Sequence, residues 1–280
     1  MNLILQGLQP EASAIEQIAA LVGAKRVAPI SSRAFRCEDV AHGDEVKARV
    51  AEACLKAQLD CTWIEKPRHL SDFKLVAMDM DSTLITIECI DEIADMQGIK
   101  AQVAAITERS MRGELDFSAS LRERVALLAG LPETALEKVY SERLQLSPGA
   151  ETLLAACKEH AIRFMLVSGG FTFFTERLKQ QLGLDYAYAN QLEVVDGKLT
   201  GRVVGEIVDA AAKQRLLIEK RTELGLRPEQ VIAMGDGAND LMMLGEAGVG
   251  VAYRAKPVVQ AKADVAINVM GLDGVARLFA

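Results

Sequence analysis

The hydrophobic residues of this chain occur in two patterns that alternate along most of its length. Short apolar runs are separated by longer stretches in which apolar positions lie three or four residues apart. Such runs are typical of strands buried on both faces of a parallel sheet, and the longer spacing is typical of amphipathic helices. The apolar runs of the main part lie at 75–78, 164–167, 231–234, 249–252 and 265–267. This alternation predicts an α/β fold with an open parallel sheet.

The segment between the first two of these strands has a helical pattern and almost no strand signal. It runs from about residue 86 to 147, where Asp116 can cap one helix and Pro132 can open another. An insertion directly after a strand of a parallel sheet lies near the carboxyl ends of the strands, where ligands bind. We therefore predict a helical cap at about 86–147 that acts as a lid.

Residues 1–71 precede the sheet and have a pattern of their own. Residues 3–5 and 61–64 predict strands, 26–37 is β-like, and two amphipathic stretches predict helices. We expect a small N-terminal α/β module that ends in a linker near Pro67, followed by a main domain over residues 72–280.

Composition and charge narrow the classes of function. Half of the 280 residues are hydrophobic, a quarter are charged, and the formal net charge is -7. A nucleic-acid partner is not expected, because its electrostatic footprint would be a basic stripe. No apolar run reaches the roughly 18 residues that suggest a membrane span, and the N-terminus lacks the pattern of a signal peptide. We expect a cytoplasmic protein with no membrane partner.

The five cysteines are odd in number, and they form no CxxC pair and have no nearby histidine ligands. A zinc site is therefore not expected. We predict free, buried thiols in a reducing cytoplasm for Cys37, Cys54, Cys61, Cys89 and Cys157.

Polar residues follow three of the predicted strands directly. Asp79 and Asp81 follow the first strand, Ser168 follows the second, and Asp236 follows the third. The carboxyl ends of parallel strands meet at one edge of the sheet, so these side chains are expected to lie together. Clustered carboxylates repel one another unless a hard cation lies among them, and oxygen ligands suit Mg²⁺. The pattern predicts a metal-dependent enzyme that acts on a phosphate.

Each motif taken alone has a structural explanation as well. Asp79 and Asp81 can serve as nucleophile and proton donor, or can cap the turn that follows them. The 168–170 segment can bind an anion ahead of a helix, or can be an ordinary turn. In the 235–240 segment, Asp236 can hold a metal and Asp240 can position its waters, or the acids can be N-caps.

A lysine is expected to neutralise the phosphate and the aspartates. Lys213 is our choice because it lies near the start of a predicted helix, and Lys220 is the competing candidate.

Taken together, the motifs resemble the phosphoserine phosphatase family of the haloacid dehalogenase superfamily. The matching segments are DMDSTL (79–84), ECIDE (88–92), SLRERV (120–125), SGGF (168–171), YAN (188–190) and GDGAND (235–240). The resemblance spans about residues 72–280. It implies a Rossmann-like, doubly wound core, a helical cap and a Mg²⁺ cofactor.

The resemblance also implies a role for individual residues. Asp79 is the implied nucleophile and Asp81 the general acid and base, and the metal ligands are Asp79, Asp236 and the backbone carbonyl of Asp81. Glu88 and Arg124 are implied to read the amino and carboxylate groups of the substrate, O-phospho-L-serine. Without the neighbouring motifs, both would be taken for surface charges. The implied phosphate ligands are Ser168, Gly169 and Lys213, with Asn239 nearby.

The resemblance implies hydrolysis of O-phosphoserine in serine biosynthesis, through an aspartyl phosphate. Alternatives are a phosphatase or phosphotransferase for another small phosphomonoester and, more remotely, an amino-acid sensor with an inert core. Met111 and Phe117 either line the seryl side of the site or belong to the core of the cap. The N-terminal module faintly resembles ACT-type amino-acid-binding domains, although residues 1–67 are short for a complete βαββαβ unit. Dimerisation as a homodimer, or a scaffold role, is at least as well supported as ligand sensing.

Overall fold

The computed structural model describes residues 1–279, and the chain begins with a complete βαββαβ unit. Within this described part, the unit forms an antiparallel sheet of four strands in the order β2-β3-β1-β4. The 26–37 stretch folds as two strands, so the expectation that the segment is too short for the complete unit is wrong. The elements are β1 (Asn2–Gln6), α1 (Ala12–Leu21), β2 (Arg26–Ser31), β3 (Ala34–Glu38), α2 (Asp44–Lys56) and β4 (Asp60–Ile64).

The second sheet confirms the predicted fold class. Over residues 1–279 it has seven strands in the order β11-β10-β9-β5-β6-β7-β8, all parallel except β8, which returns from β7 as a hairpin. The elements are β5 (Leu75–Met78), α3 (Cys89–Met96), α4 (Lys100–Met111), α5 (Phe117–Ala126), α6 (Thr134–Glu142), α7 (Ala150–Glu159), β6 (Arg163–Phe171), α8 (Thr172–Leu182), β7 (Tyr186–Val195), β8 (Lys198–Val204), α9 (Ala210–Glu223), β9 (Val231–Gly235), α10 (Leu241–Gly245), β10 (Val249–Tyr253), α11 (Pro257–Gln260), β11 (Val265–Ile267) and α12 (Asp273–Leu278). Shorter helical turns lie at Leu70–Asp72, Met80–Leu84, Pro228–Gln230 and Ala238–Asp240.

Helices cover both faces of this sheet, which is why its central strands are apolar throughout. Alternate residues of β5 point to opposite faces. Leu75 and Ala77 pack in a core that includes residues of α9 and α10. Val76 and Met78 pack in a second core that includes residues of α5 to α8. The sheet is thus doubly wound. Because both faces are covered, the ends of the strands are the part of the sheet that can hold a polar site.

The inserted helices α3 to α6 lie between β5 and α7 and are fastened to the β7–β8 hairpin. Gly130 donates a backbone hydrogen bond to Leu199 at 2.8 Å, and Leu199 donates one to Leu131 at 2.8 Å. This anchor holds one side of the insertion in place over the sheet. In residues 1–279, a helix with the length and apolarity required to cross a bilayer is absent.

One carboxylate of the N-terminal module is buried against the main sheet. Asp60, at the start of β4, is 3% exposed. It accepts hydrogen bonds from the backbone N–H groups of Asn268, Val269 and Met270 at 2.7, 3.0 and 2.8 Å. Because these residues directly follow β11, Asp60 ties the module to the carboxyl end of that strand.

We expect Asp60→Asn to lower the free energy of unfolding by about 1–3 kcal/mol, since an amide NH₂ would face backbone donors and leave buried groups unpaired. Urea denaturation of the full chain measures this. The control is Asp39→Asn in the same module, where the side chain is exposed and asparagine tolerates the φ of 53°. Equal stability of the two variants would contradict the anchoring role.

Candidate active site

A cavity of about 360 Å³ lies at the carboxyl ends of β5, β6 and β9, beneath the inserted helices. Polar side chains from the sheet and from the insertion face each other across it. The structure brings most of the predicted site residues together here. Those that line the cavity are Asp79, Asp81, Glu88, Arg124, Ser168, Gly169, Asp236 and Asn239.

The backbone after β5 places the first aspartates and then reverses direction. Asp79 is extended and its Oδ1 accepts a hydrogen bond from the N–H of Met80 at 2.7 Å. Asp81 Oδ1 accepts one from the N–H of Cys89, at the start of α3, at 3.3 Å. Ser82, directly after Asp81, has a φ of 55°, a left-handed turn, and its hydroxyl donates to Glu88 Oε1 at 2.6 Å. The turn therefore brings Glu88 into the same cavity.

Burial sets the protonation of Asp81. The loss of water around its carboxyl, together with the nearby Glu88 carboxylate, raises the pKa of Asp81 to about 7. A carboxyl with such a pKa can donate a proton near neutral pH and take one back.

Lys213 lies beneath the aspartates rather than in the cavity wall. Its Nζ is 2.7 Å from Asp79 Oδ2 and 2.8 Å from Asp240 Oδ1, and all three side chains are buried. Lys220, the competing candidate, lies on the same helix face two turns later. It pairs with Glu223 and lies over the ring of Tyr186. Only Lys213 is placed to act on Asp79.

Three carboxylates form the candidate metal centre. Among the described side chains, Asp79, Asp236 and Asp240 each offer an oxygen, and these oxygens lie within 4.8 Å of one another. Burial, and then repulsion by Asp240, raise the pKa of Asp236 to about 6 and also raise the pKa of Asp79. One buried ammonium, that of Lys213, cannot neutralise three carboxylates. The residues present therefore fit a divalent cation with oxygen ligands.

Residues 168–170, in the irregular last part of β6 where the pairing with β7 shifts register, have the shape of an anion cradle. Ser168 is buried, and its Oγ accepts a hydrogen bond from the N–H of Gly170 at 2.8 Å. A Cβ at Gly170 would lie 2.7 Å from Asp81 Oδ2, and one at Gly169 would lie 2.9 Å from the ring of Phe117. Glycine therefore lets the backbone approach Asp81 at position 170 and the ring of Phe117 at position 169.

A buried asparagine on β7 holds the 168–170 segment in place. Asn190, on β7, donates from Nδ2 to the carbonyl of Gly169 at 2.8 Å. Its Oδ1 accepts a hydrogen bond from the N–H of Val208 at 2.8 Å. Both halves of the amide are thus used, and they fix the backbone at Gly169 relative to β7 and to the segment that precedes α9.

The inserted helices contribute charges of both signs at the far end of the cavity. Glu88 precedes α3, Asp91 lies within it, and Arg124 lies on α5. Arg124 donates from Nε to the backbone carbonyl of Ser120 at 3.4 Å, and within residues 1–279 no ion pair joins its guanidinium to a carboxylate. Burial lowers the pKa of Arg124, whereas Asp91 and Glu88 oppose this. The terminal N–H groups of Arg124, which lines the cavity, are therefore available to bind a carboxylate.

Sequence reasoning missed two residues of the cavity and left a third open. Lys256 lines the cavity but lies three residues beyond the end of β10, directly before α11, so the rule of a polar residue directly after a strand does not find it. Asp91 lies three residues after Glu88 and shares its side of the helix. Phe117 lines the cavity, while the side chain of Met111 lies outside the described part of the chain.

Comparisons with known proteins agree with this geometry. Residues 76–245 match the family model of the haloacid dehalogenase-like hydrolases, and residues 3–46 match a domain of unknown function. A curated phosphoserine phosphatase from Polaromonas sp. is 58% identical over 214 residues, which are 75% of this chain and 91% of that protein.

Solved structures show the same similarity. A probable phosphoserine phosphatase from Vibrio cholerae, in unliganded form, has a TM-score of 0.85 and 39% identity, covering 99% of this chain and 86% of that one. A substrate-bound phosphoserine phosphatase complex has a TM-score of 0.69 and 41% identity, covering 74% of this chain and 99% of that one. The chain therefore belongs to the haloacid dehalogenase-like hydrolase family.

Proposed function

We propose that this chain is an enzyme that hydrolyses O-phospho-L-serine to serine and phosphate, with Mg²⁺ as its cofactor. The observation that carries the proposal is one cavity lined both by the aspartates that follow β5 and by Arg124 with two acids, Glu88 and Asp91, from the inserted segment. A zwitterionic amino acid needs this combination of charges. The similarity to proteins named phosphoserine phosphatase supports the same substrate.

The substrate is oriented by its amino-acid end. Arg124 grips the carboxylate, and Glu88 and Asp91 attract the ammonium group, so the phosphate points toward the strand ends. The Ser168 hydroxyl and the N–H of Gly169 then meet the phosphoryl oxygens. Asn239 lines the same part of the cavity. Fixing the phosphorus near the nucleophile replaces a bimolecular encounter by an intramolecular step.

In the first chemical step, Asp79 attacks phosphorus and the bond to the seryl oxygen breaks. Asp81 gives its proton to that oxygen, so serine leaves as a neutral alcohol. In the second step Asp81 takes a proton from a water molecule, which attacks phosphorus and releases Asp79. In both steps, the Lys213 ammonium stabilises the negative charge at and next to the Asp79 carboxylate.

Mg²⁺ is the cation that best suits the donor set, which consists of carboxylate and carbonyl oxygens. Asp79, Asp236 and the backbone carbonyl of Asp81 would hold it. When bound, it neutralises charge on the phosphoryl oxygens. Asp240 lies in the same cluster, but both of its oxygens accept hydrogen bonds, from Lys213 and from the N–H of Gly237. Its role is therefore to hold Lys213 and the Gly237 turn in position.

The variant Arg124→Ala tests whether Arg124 binds the carboxylate of the proposed substrate. We expect kcat/KM for O-phosphoserine to fall about 10- to 100-fold, because a charge-assisted hydrogen-bond pair is lost. O-phosphoethanolamine has the amino group but no carboxylate, so its kcat/KM should change little. The measurement is phosphate release from both substrates.

The matched control is Arg122→Ala, an exposed arginine on the same helix that lies outside the cavity. It should leave both substrates unaffected. An equal loss for the two substrates in Arg124→Ala would show that Arg124 does not read the carboxylate.

We further propose a cytoplasmic location, where free cysteines persist. We also propose a domain boundary between residues 71 and 72, an ACT-like N-terminal module and a homodimer. The exposed Leu55 on α2 offers an apolar surface that such a dimer could cover.

A further inference from the structure

Ser82, in the loop after β5, has a left-handed backbone conformation that serine rarely adopts. Its φ is 55° and its ψ is 4°. Residues other than glycine, asparagine and aspartate adopt this conformation at a cost in free energy, and such strained residues cluster at binding and catalytic sites. The side chain of Ser82 lines the cavity, yet the hydrolytic mechanism gives it no role.

Three consecutive side chains of this loop contact three different parts of the site. The Asp81 carboxylate accepts a hydrogen bond from the backbone at the start of α3. The Ser82 hydroxyl donates to Glu88 Oε1 at 2.6 Å, and the Thr83 hydroxyl donates to Asp236 Oδ1 at 3.4 Å. Ser82 therefore connects the loop of the catalytic aspartates to the acid that faces the amino group of the proposed substrate.

The backbone of the loop supports the contact between Ser82 and Glu88. The N–H of Ser82 donates to the carbonyl of Ile87 at 3.2 Å, which brings the next residue, Glu88, beside Ser82. Glu88 directly precedes α3, but its side chain makes no capping hydrogen bond to that helix. Within residues 1–279, the Ser82 hydroxyl is the hydrogen-bond partner of the Glu88 carboxylate, and Oε2 has none. Oε2 is thus available to a ligand.

This hydrogen bond orders a side chain that would otherwise be mobile. Glu88 is exposed, and an exposed glutamate populates several rotamers whose entropy is lost on binding. A carboxylate that is already fixed avoids that loss when the ligand arrives. Asp91, the other acid that lines the cavity, has no side-chain hydrogen bond within residues 1–279. Of the two acids, Glu88 is therefore the one that is held in place.

We propose that Ser82 is a positioning residue that gives the site its preference for phosphomonoesters with an amino group. The inference rests on the proposed function, in which Glu88 attracts the ammonium group of the substrate. The Ser82 hydroxyl holds Oε1, and Oε2 accepts the hydrogen bond from the ammonium. A phosphomonoester without an amino group gains nothing from this arrangement.

The experiment compares two substrates that differ in one group. 3-phosphooxypropanoate is O-phosphoserine with a hydrogen atom in place of the amino group. We measure kcat/KM for both with the full chain, and define the amino preference as the value for O-phosphoserine divided by the value for 3-phosphooxypropanoate. Ser82→Ala removes the hydroxyl and keeps the strained backbone, whereas Ser82→Gly removes the hydroxyl and accepts the positive φ.

We expect the amino preference to fall about 10-fold in both variants, chiefly through a higher KM for O-phosphoserine, because a hydrogen bond to a charged group is lost. Ser82 directly follows Asp81, so a general disturbance of the acid and base would lower both substrates equally. Such a disturbance would leave the amino preference unchanged. The preference therefore separates the positioning role from a merely structural one.

Two further variants complete the test. Ser141→Ala removes a serine hydroxyl on α6 that bonds only to its own helix, and it should keep the wild-type preference. Glu88→Gln should lower the amino preference by itself. Adding Ser82→Ala to Glu88→Gln should lower it no further, because two residues that act as one unit are not additive.

The proposal is overturned if Ser82→Ala and Ser82→Gly both keep the wild-type preference. It is also overturned if Ser82→Gly keeps the preference while Ser82→Ala loses it, since the effect would then come from the backbone. An equal further loss on adding Ser82→Ala to Glu88→Gln would show that Ser82 does not act through Glu88. In these three outcomes the wild type still prefers O-phosphoserine and the proposed function stands. A wild type that shows no amino preference, or releases no phosphate from O-phosphoserine, would instead overturn the proposed function and this inference with it.

Discussion

Asp79→Asn is expected to abolish hydrolysis of O-phosphoserine, with a loss of at least about 10⁴-fold in kcat. An amide oxygen is a poor nucleophile and cannot carry the phosphoryl group as an acyl phosphate. The substitution also removes the partner of Lys213 at 2.7 Å and one of the three oxygens of the candidate metal centre. Steady-state phosphate release measures the loss, and rapid quenching with radiolabelled substrate should show no phosphoenzyme.

The control for this variant is Asp196→Asn, which makes the same change of charge in the turn between β7 and β8. Asp196 has a φ of 51°, a conformation that asparagine accepts readily, so the fold should be undisturbed. Its kcat should equal that of the wild type. If Asp79→Asn still formed a phosphoenzyme burst, another group would be the nucleophile and the mechanism would fail.

The sequence predicts the central sheet and the location of the candidate active site, because both follow from the pattern of apolar runs and the polar residues after them. Apolar runs define the strands, and polar residues that directly follow them must meet at one edge. The structure brings Asp79, Ser168 and Asp236 to one cavity in this way. The same logic applied to β10 selects Arg254, which directly follows the strand, and misses Lys256, which lines the cavity.

What the sequence leaves open depends on three-dimensional packing. Lys213 and Lys220 are seven residues apart and share a helix face, so periodicity alone cannot separate them. Only the direction of α9 relative to the strands places the first of them at the aspartates. Similarly, nothing local shows that Asp240 turns back toward Lys213, because a helix N-cap has the same sequence pattern.

The N-terminal module illustrates a different limit. Its β-like stretch contains two strands that are joined by a two-residue turn, Ser32-Arg33, without the glycine or asparagine that usually mark such a turn. The pattern alone therefore gave one element where the structure has two. Asp60 is another example, since an acid at a strand start looks exposed until the loop after β11 covers it.

Among substitutions of residues that hold the catalytic aspartates in place, Lys213→Met is expected to cause the largest loss of stability and activity. The variant leaves Asp79 and Asp240 buried, close together and without their shared ammonium. Removing one partner of a buried ion pair costs about 3–5 kcal/mol, and we expect that loss in the free energy of unfolding. We also expect kcat to fall by about 10²-fold or more, since a preorganised charge at the reacting group is lost.

The pH profile shows whether Lys213 acts through Asp79. The ammonium lowers the pKa of Asp79 against the effects of burial and of Asp240, so its removal raises that pKa further. The nucleophile must be ionised, and the acidic limb of the kcat/KM profile should therefore move to higher pH. Lys220→Met, on the same face of α9, breaks the pair with the exposed Glu223 and the contact with the ring of Tyr186, and should cost about 1 kcal/mol or less with an unchanged profile. Loss of activity in Lys213→Met with an unshifted acidic limb would assign Lys213 to the phosphate alone, and not to the ionisation of Asp79.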